Sequence, residues 1–192
     1  MAPKAKITRE DIIKTTLNLV RAHGEQAINA RAIAAALNCS TQPIFSNFTS
    51  MNELQRTTCA AAYDIYLQFI KTEIESKKYP KYKSYGMAYI RFAKEERELF
   101  KLLFMRDRTN EDTSPSPDFK EAVQIIAEAN SITNEAATRM HLEMWAFVHG
   151  IATMLITSFL ALDWDCIEFM LTDIYKGIQA THTAEDKSNA RN

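Results

Sequence analysis

The sequence predicts an all-α protein, and three observations carry that prediction. Glycine and proline are scarce, four and five in 192 residues, whereas a β-rich fold consumes glycine at its many turns. Apolar residues recur at spacings of three and four, as in Ile13, Leu17 and Val20, which is the period of a helix face. Helix-start chemistry is also frequent. Thr8 with Asp11, Asn29, and Ser50 with Glu53 each place a side-chain oxygen ahead of an apolar run, where it accepts from the unpaired N–H groups of a first turn.

Taken in order, a first helix is expected from Thr8 to Gly24, a residue that stops a helix without a Cβ clash. Asn29 caps a short alanine-rich helix through Leu37, with Ile28 and Ile33 stapling its start. Asn38-Cys39-Ser40 then makes a corner, and asparagine is the best non-glycine choice for a left-handed corner residue. Ser40 is expected to cap a third helix, with Pro43 in the first turn, where its missing N–H does no harm. Ser50 and Glu53 form a capping box that opens a long fourth helix to about Ser76.

A Tyr-Pro break over 77–83 follows, then helices near 84–93 and 95–105. The polar stretch 106–117, with Pro115 and Pro117, reads as the one long loop. Further helices are expected near 118–128, 134–160 and 165–181, and a polar tail over 183–192 is expected to fray. This divides the chain into a helix-turn-helix head (1–50), a helical body (51–182) and the tail.

Composition narrows function. The net charge is −1, which argues against a globally basic nucleic-acid coat. Yet residues 1–58 hold seven basic against four acidic residues, and the remainder sixteen against twenty. A basic head on an acidic body suits a DNA-contacting domain attached to something else. Cys39, Cys59 and Cys166 are odd in number and lack a C-x-x-C pair, as expected of reduced thiols rather than a disulfide framework. The run Met1-Ala-Pro-Lys has no apolar signal core, so a cytoplasmic location is expected. Met144 to Leu162 is apolar enough to suggest a membrane span, but Glu143, Asp163 and Asp165 flank it in place of basic anchors. A helix buried in a core and a subunit interface is the expectation, with no membrane partner.

Enzyme patterns do not occur: there is no paired Glu-x-x-His, H-E-x-x-H, G-x-S-x-G or P-loop. His23, His141, His149 and His182 make no ligand cluster, so no cofactor and no metal are expected. The segment 29–48 has the arithmetic of a helix-turn-helix. Ile33, Ala34, Leu37, Ile44 and Phe48 would close its small core, leaving Thr41, Gln42, Pro43, Ser46 and Asn47 outward. Gln42 suits adenine N6 and N7, and Thr41 and Pro43 suit thymine methyls. Ser40, Ser46 and Thr49, with Arg31 and Lys6, suit phosphates. A plain three-helix corner with a solvated polar face is the competing reading.

The run Ala27 to Leu54 resembles the DNA-binding head of the tetracycline-repressor family. The likeness rests on Ile33-Ala34, Cys39-Ser40 at the corner, Pro43, the aromatic pair Phe45-x-x-Phe48 and the closing Glu53-Leu54. It covers about residues 8–56. Trp145-Ala-Phe-Val-His149-Gly150 is similar to a Trp…His-Gly signature found in the C-terminal half of one subgroup. Three positions depart from the pattern. Phe45 stands where tyrosine is usual, Met51 where lysine is common and Asn38 where glycine is usual, so two phosphate contacts of the family are missing.

The resemblance implies a ligand-binding, dimerising C-terminal body. Tyr63, Tyr66, Tyr89, Phe92, Phe104, Met144, Trp145 and His149 are its candidate ligand residues, suited to a small, largely apolar effector. Phe147, Ile151, Leu155, Phe159, Phe169, Met170 and Ile174 leave two late helices apolar around most of their circumference. That is economically covered by a homodimeric four-helix interface. The expected function is a ligand-responsive regulator, acting as a repressor on a palindromic double-stranded DNA operator. The alternative is a helical small-molecule- or partner-binding dimer without DNA binding.

Overall fold

The structure, a computed structural model, describes residues 7–109 and 114–189. Among them are nine α-helices, one 3-10 turn and no strand. The helices are α1 (Arg9–His23), α2 (Ala30–Ala36), α3 (Gln42–Asn47), α4 (Met51–Glu75), α5 (Lys81–Glu95), α6 (Arg97–Phe104), α7 (Pro117–Asn130), α8 (Asn134–Ile156) and α9 (Trp164–Asn189), with the 3-10 turn at Glu25–Ala27. The all-α expectation holds.

The chain divides into two compact units. One comprises 1–67 and 95–107, and the other 68–94 and 108–192. That division cuts across the 50/51 boundary expected from the sequence, because α4 leaves the first unit only after Leu67.

In the first unit α1 begins with a closed capping box. Asp11 N–H donates to Thr8 Oγ1 at 3.1 Å, and the Asp11 carboxylate accepts from Thr8 N–H at 3.0 Å. Gly24 ends the helix at φ 79°, and a Cβ there would meet the Gln26 side chain at 2.9 Å. Ile12, Ile33, Ala34, Ile44, Phe48 and Leu54 form the buried core, with Leu37 and Met51 packed against it. The apolar set expected to close the head therefore does so.

Two starts differ from expectation. α3 is capped by Thr41 rather than Ser40, and by backbone alone: Thr41 C=O accepts from the N–H groups of Ile44 and Phe45. Pro43 sits at the second helical position, so the N–H that a capping side chain would seek there does not exist. The Ser50–Glu53 box closes only in part. Glu53 N–H donates to Ser50 Oγ at 3.2 Å, but the Glu53 carboxylate turns to Thr49, accepting from its N–H and hydroxyl, both at 2.7 Å.

In the second unit α5 is the central element: Ser84, Tyr85, Met87, Ala88, Tyr89, Ile90, Phe92 and Ala93 are all buried. Gly86 permits close packing on it, since a Cβ there would lie 2.9 Å from Leu171 Cδ2 of α9. α7 and α8 meet through Val123, Ile126, Ala137 and Met140. α8 stops at Ile156, short of the expected 160, because Ser158 turns left-handed (φ 56°) and Phe159 N–H donates back to Met154 C=O at 3.0 Å. The apolar run 144–162 is thus broken, and no helix among the described residues is long and apolar enough to cross a membrane. α9 runs on to Asn189, past the expected 181, so most of the expected tail is helical.

Candidate nucleic-acid interface and C-terminal binding region

Backbone geometry makes the corner between α2 and α3. Asn38 N–H donates to Ala35 C=O (3.1 Å) and Cys39 N–H to Ala34 C=O (3.0 Å), with Asn38 at φ 54°. This pairing satisfies the last carbonyls of α2 and turns the chain sharply into α3, as a helix-turn-helix requires.

With Ile44 and Phe48 turned inward, Gln42, Phe45 and Ser46 share the opposite face at i, i+3 and i+4. Gln42 is exposed and Phe45 is 53% exposed. The Ser46 hydroxyl donates to Gln42 C=O at 2.9 Å, and the Asn47 amide to Pro43 C=O at 2.7 Å. Asn47 is thereby half-buried and tied to its own helix. Arg31, Ser40 and Thr49 are exposed, while Thr41 and Pro43 are half-buried. Lys6 lies outside the described residues.

Arg9 has a role that sequence reading missed. Its guanidinium donates to Asn47 C=O (2.6 Å), Glu53 Oε1 (2.8 Å) and Thr57 Oγ1 (3.2 Å), and lies 4.0 Å over the Phe48 ring. One cation on α1 thus ties down the end of α3 and the start of α4. Thr49 and then Arg9 hold the Glu53 carboxyl far below the usual carboxylate range, at about 2. Arg21 is likewise engaged, donating twice to Glu96 at 2.8 Å. Two of the basic residues counted in the head are therefore neutralised within its own unit.

The candidate ligand residues fall into two groups. Tyr63, Tyr66 and Phe104 form an aromatic cluster in the first unit, with ring centroids 5.6 and 5.4 Å apart. Tyr89, Phe92, Met144, Trp145 and His149 lie in the second. There, Tyr89 OH and His149 Nδ1 are 2.8 Å apart, and the Trp145 ring lies 5.6 Å from His149 at a 31° tilt. Spacing of four on α8 brings Trp145 and His149 to one face. Burial pushes the Tyr89 phenol up and the His149 imidazole down, so both are neutral at pH 7. Phe92 is fully buried, edge-on to Phe69, and Met144 is buried too.

A second pair repeats this pattern. Tyr82 OH and His141 Nδ1 are 2.9 Å apart, with Phe119 packed 4.6 Å from the imidazole. Burial lowers His141 to about 4. The tyrosines are seven apart on α5 and the histidines eight apart on α8, which is two helical turns on each. That matched spacing is the signal a sequence reading needed.

The candidate dimer residues also separate. Phe159 is 76% and Phe169 67% exposed, and Ile174 is exposed as well. Phe147, Leu155 and Met170 are half-buried. Ile151 is buried within its own chain at 3% exposure and offers no surface to a partner.

Fold and site together define a helical chain with a helix-turn-helix ahead of a helical body. Residues 83–174 match the family described as "Tetracyclin repressor-like, C-terminal domain". No curated protein matches the chain. The matched span contains the Tyr89–His149 pair, His141 and Trp145, and begins one residue after Tyr82.

Proposed function

We propose that this chain is a cytoplasmic, ligand-responsive transcription regulator that binds a palindromic operator as a homodimer and represses transcription. The observation that carries this reading is the exposed Gln42–Phe45–Ser46 face on a helix set by the Asn38 corner, in a chain whose C-terminal part is repressor-like. Gln42 presents an amide to adenine, Thr41 and Pro43 face thymine methyls, and Arg31, Ser40, Ser46 and Thr49 supply phosphate contacts around it.

Dimerisation follows from Phe159 and Phe169, large side chains that a lone chain leaves in water. Two joined heads gain affinity only when both reach their grooves at once, so a modest change in their separation releases DNA. The effector is a small, largely apolar molecule held near Trp145 and His149, with the neutral Tyr89–His149 pair as its polar handle. A coupling of about 1–3 kcal/mol between that site and the operator suffices for regulation.

The test is Gln42→Ala. Its fold should be unchanged, because the side chain is exposed. Discrimination between operator and scrambled duplex should fall by about 1–3 kcal/mol, the worth of a bidentate base contact. The second reading, a ligand-binding dimer without DNA function, draws support from Arg9 and Arg21, whose charges are spent on Glu53 and Glu96. A parent protein that binds all duplexes equally, with Gln42→Ala indistinguishable from it, would favour that reading.

A further inference from the structure

Part of the exposed surface of α3 is hydrocarbon, the ring of Phe45 at 53% exposure. Ile44 and Phe48 are spent on the core, at 0% and 2% exposure. The Asn47 amide and the Ser46 hydroxyl proton are spent on backbone carbonyls. Between Gln42 and Ser46 stands Phe45, whose ring has no hydrogen-bonding group to offer a phosphate.

α3 has six residues, and Arg9 anchors its last carbonyl. Its outward face is therefore narrow and held rigidly. A groove-facing phenyl ring there finds one kind of apolar partner on a base edge, the C5-methyl group of thymine.

We propose that Phe45 is a specificity-determining residue that reads a thymine methyl in the major groove, beside the base pair addressed by Gln42. The proposal rests on the DNA-binding reading above and assigns each half-site a T·A pair against Phe45.

The test uses the full chain and a duplex operator selected from random sequence. Each thymine in turn is replaced by deoxyuridine, which deletes only the methyl group. At one position per half-site the parent should lose about fourfold in affinity, equivalent to the ~0.8 kcal/mol of one buried methyl group. Phe45→Ala should bind the thymine and uracil duplexes equally at that position, with its unfolding midpoint unchanged.

If every thymine can be replaced without loss, or if Phe45→Ala keeps the same uracil penalty as the parent, Phe45 reads no methyl and the proposal is overturned. A loss in Phe45→Ala that ignores the methyl groups would instead mean packing on sugar. If selection returns no operator at all, the DNA-binding reading fails and takes this proposal with it.

Discussion

Arg9 donates to the Asn47 carbonyl, Glu53 and Thr57 while lying over Phe48. Arg9→Met keeps much of the hydrocarbon and removes those charge-assisted bonds. It should lower stability by about 2 kcal/mol, read as a lower urea midpoint at unchanged slope. A midpoint within error of the parent's would mean the clamp contributes nothing net.

Nothing in the sequence announced this role, because the partners lie 38 to 48 residues away and an arginine in a first turn resembles any surface cation. His141 was equally hidden. Its folded-state value of about 4 lies below the ordinary 6.5, so the unfolded chain takes up the proton first. Its contribution is fully present above about pH 6.5 and is lost as pH falls towards 4, by roughly 3 kcal/mol. Stability measured at pH 7, 5.5 and 4 should drop through this window in the parent and less steeply in His141→Gln. Equal slopes would show that His141 is not the titrating group. Glu53 acts in a lower window, since its stabilisation is lost only as pH falls from about 4.5 towards its depressed value near 2.

At the scale of elements, helix ends separate what was legible from what was not. Asn38 announced the corner, because few residues accept a left-handed backbone and asparagine is one of them. Asn38→Ala should cost about 1 kcal/mol and Asn38→Gly almost nothing, as thermal unfolding would report. Equal losses would place the cost in the side chain and not in the backbone. Lys77, Ser131 and Ser158 also sit at positive φ, yet lysine and serine carry no such preference, so their own residue type did not mark those stops. That is why α8 was expected to continue to 160 through an unbroken apolar run. The start of α4 was legible as a capping motif, but not that Glu53 would choose Thr49 over Ser50.

At the scale of the whole molecule, helical period alone cannot tell a core side from a partner side. Ile151 and Phe169 looked alike in sequence, and the first is buried within the chain while the second is two-thirds exposed. The association reading predicts that Phe169→Glu converts a dimer to a monomer in sedimentation, with helix content unchanged. A dimer that survives this change would place the interface elsewhere. The outward face of α3 was legible only in part. Of the five residues expected there Gln42 and Ser46 are exposed, Thr41, Pro43 and Asn47 are half-buried, and Phe45, not counted among them, shares the exposed face. The split of the candidate ligand residues between two units was not legible, since α4 runs continuously from one unit into the other.

The most direct measurement of DNA-binding regulation is selection by the full-length protein from a pool of random duplexes at two salt concentrations, with sequencing of what is retained. A regulator should recover a palindrome, with half-sites about one helical turn apart or more, and affinity falling steeply as salt rises. Recovery of no sequence at low salt would contradict DNA-directed function and leave the chain a ligand-binding dimer.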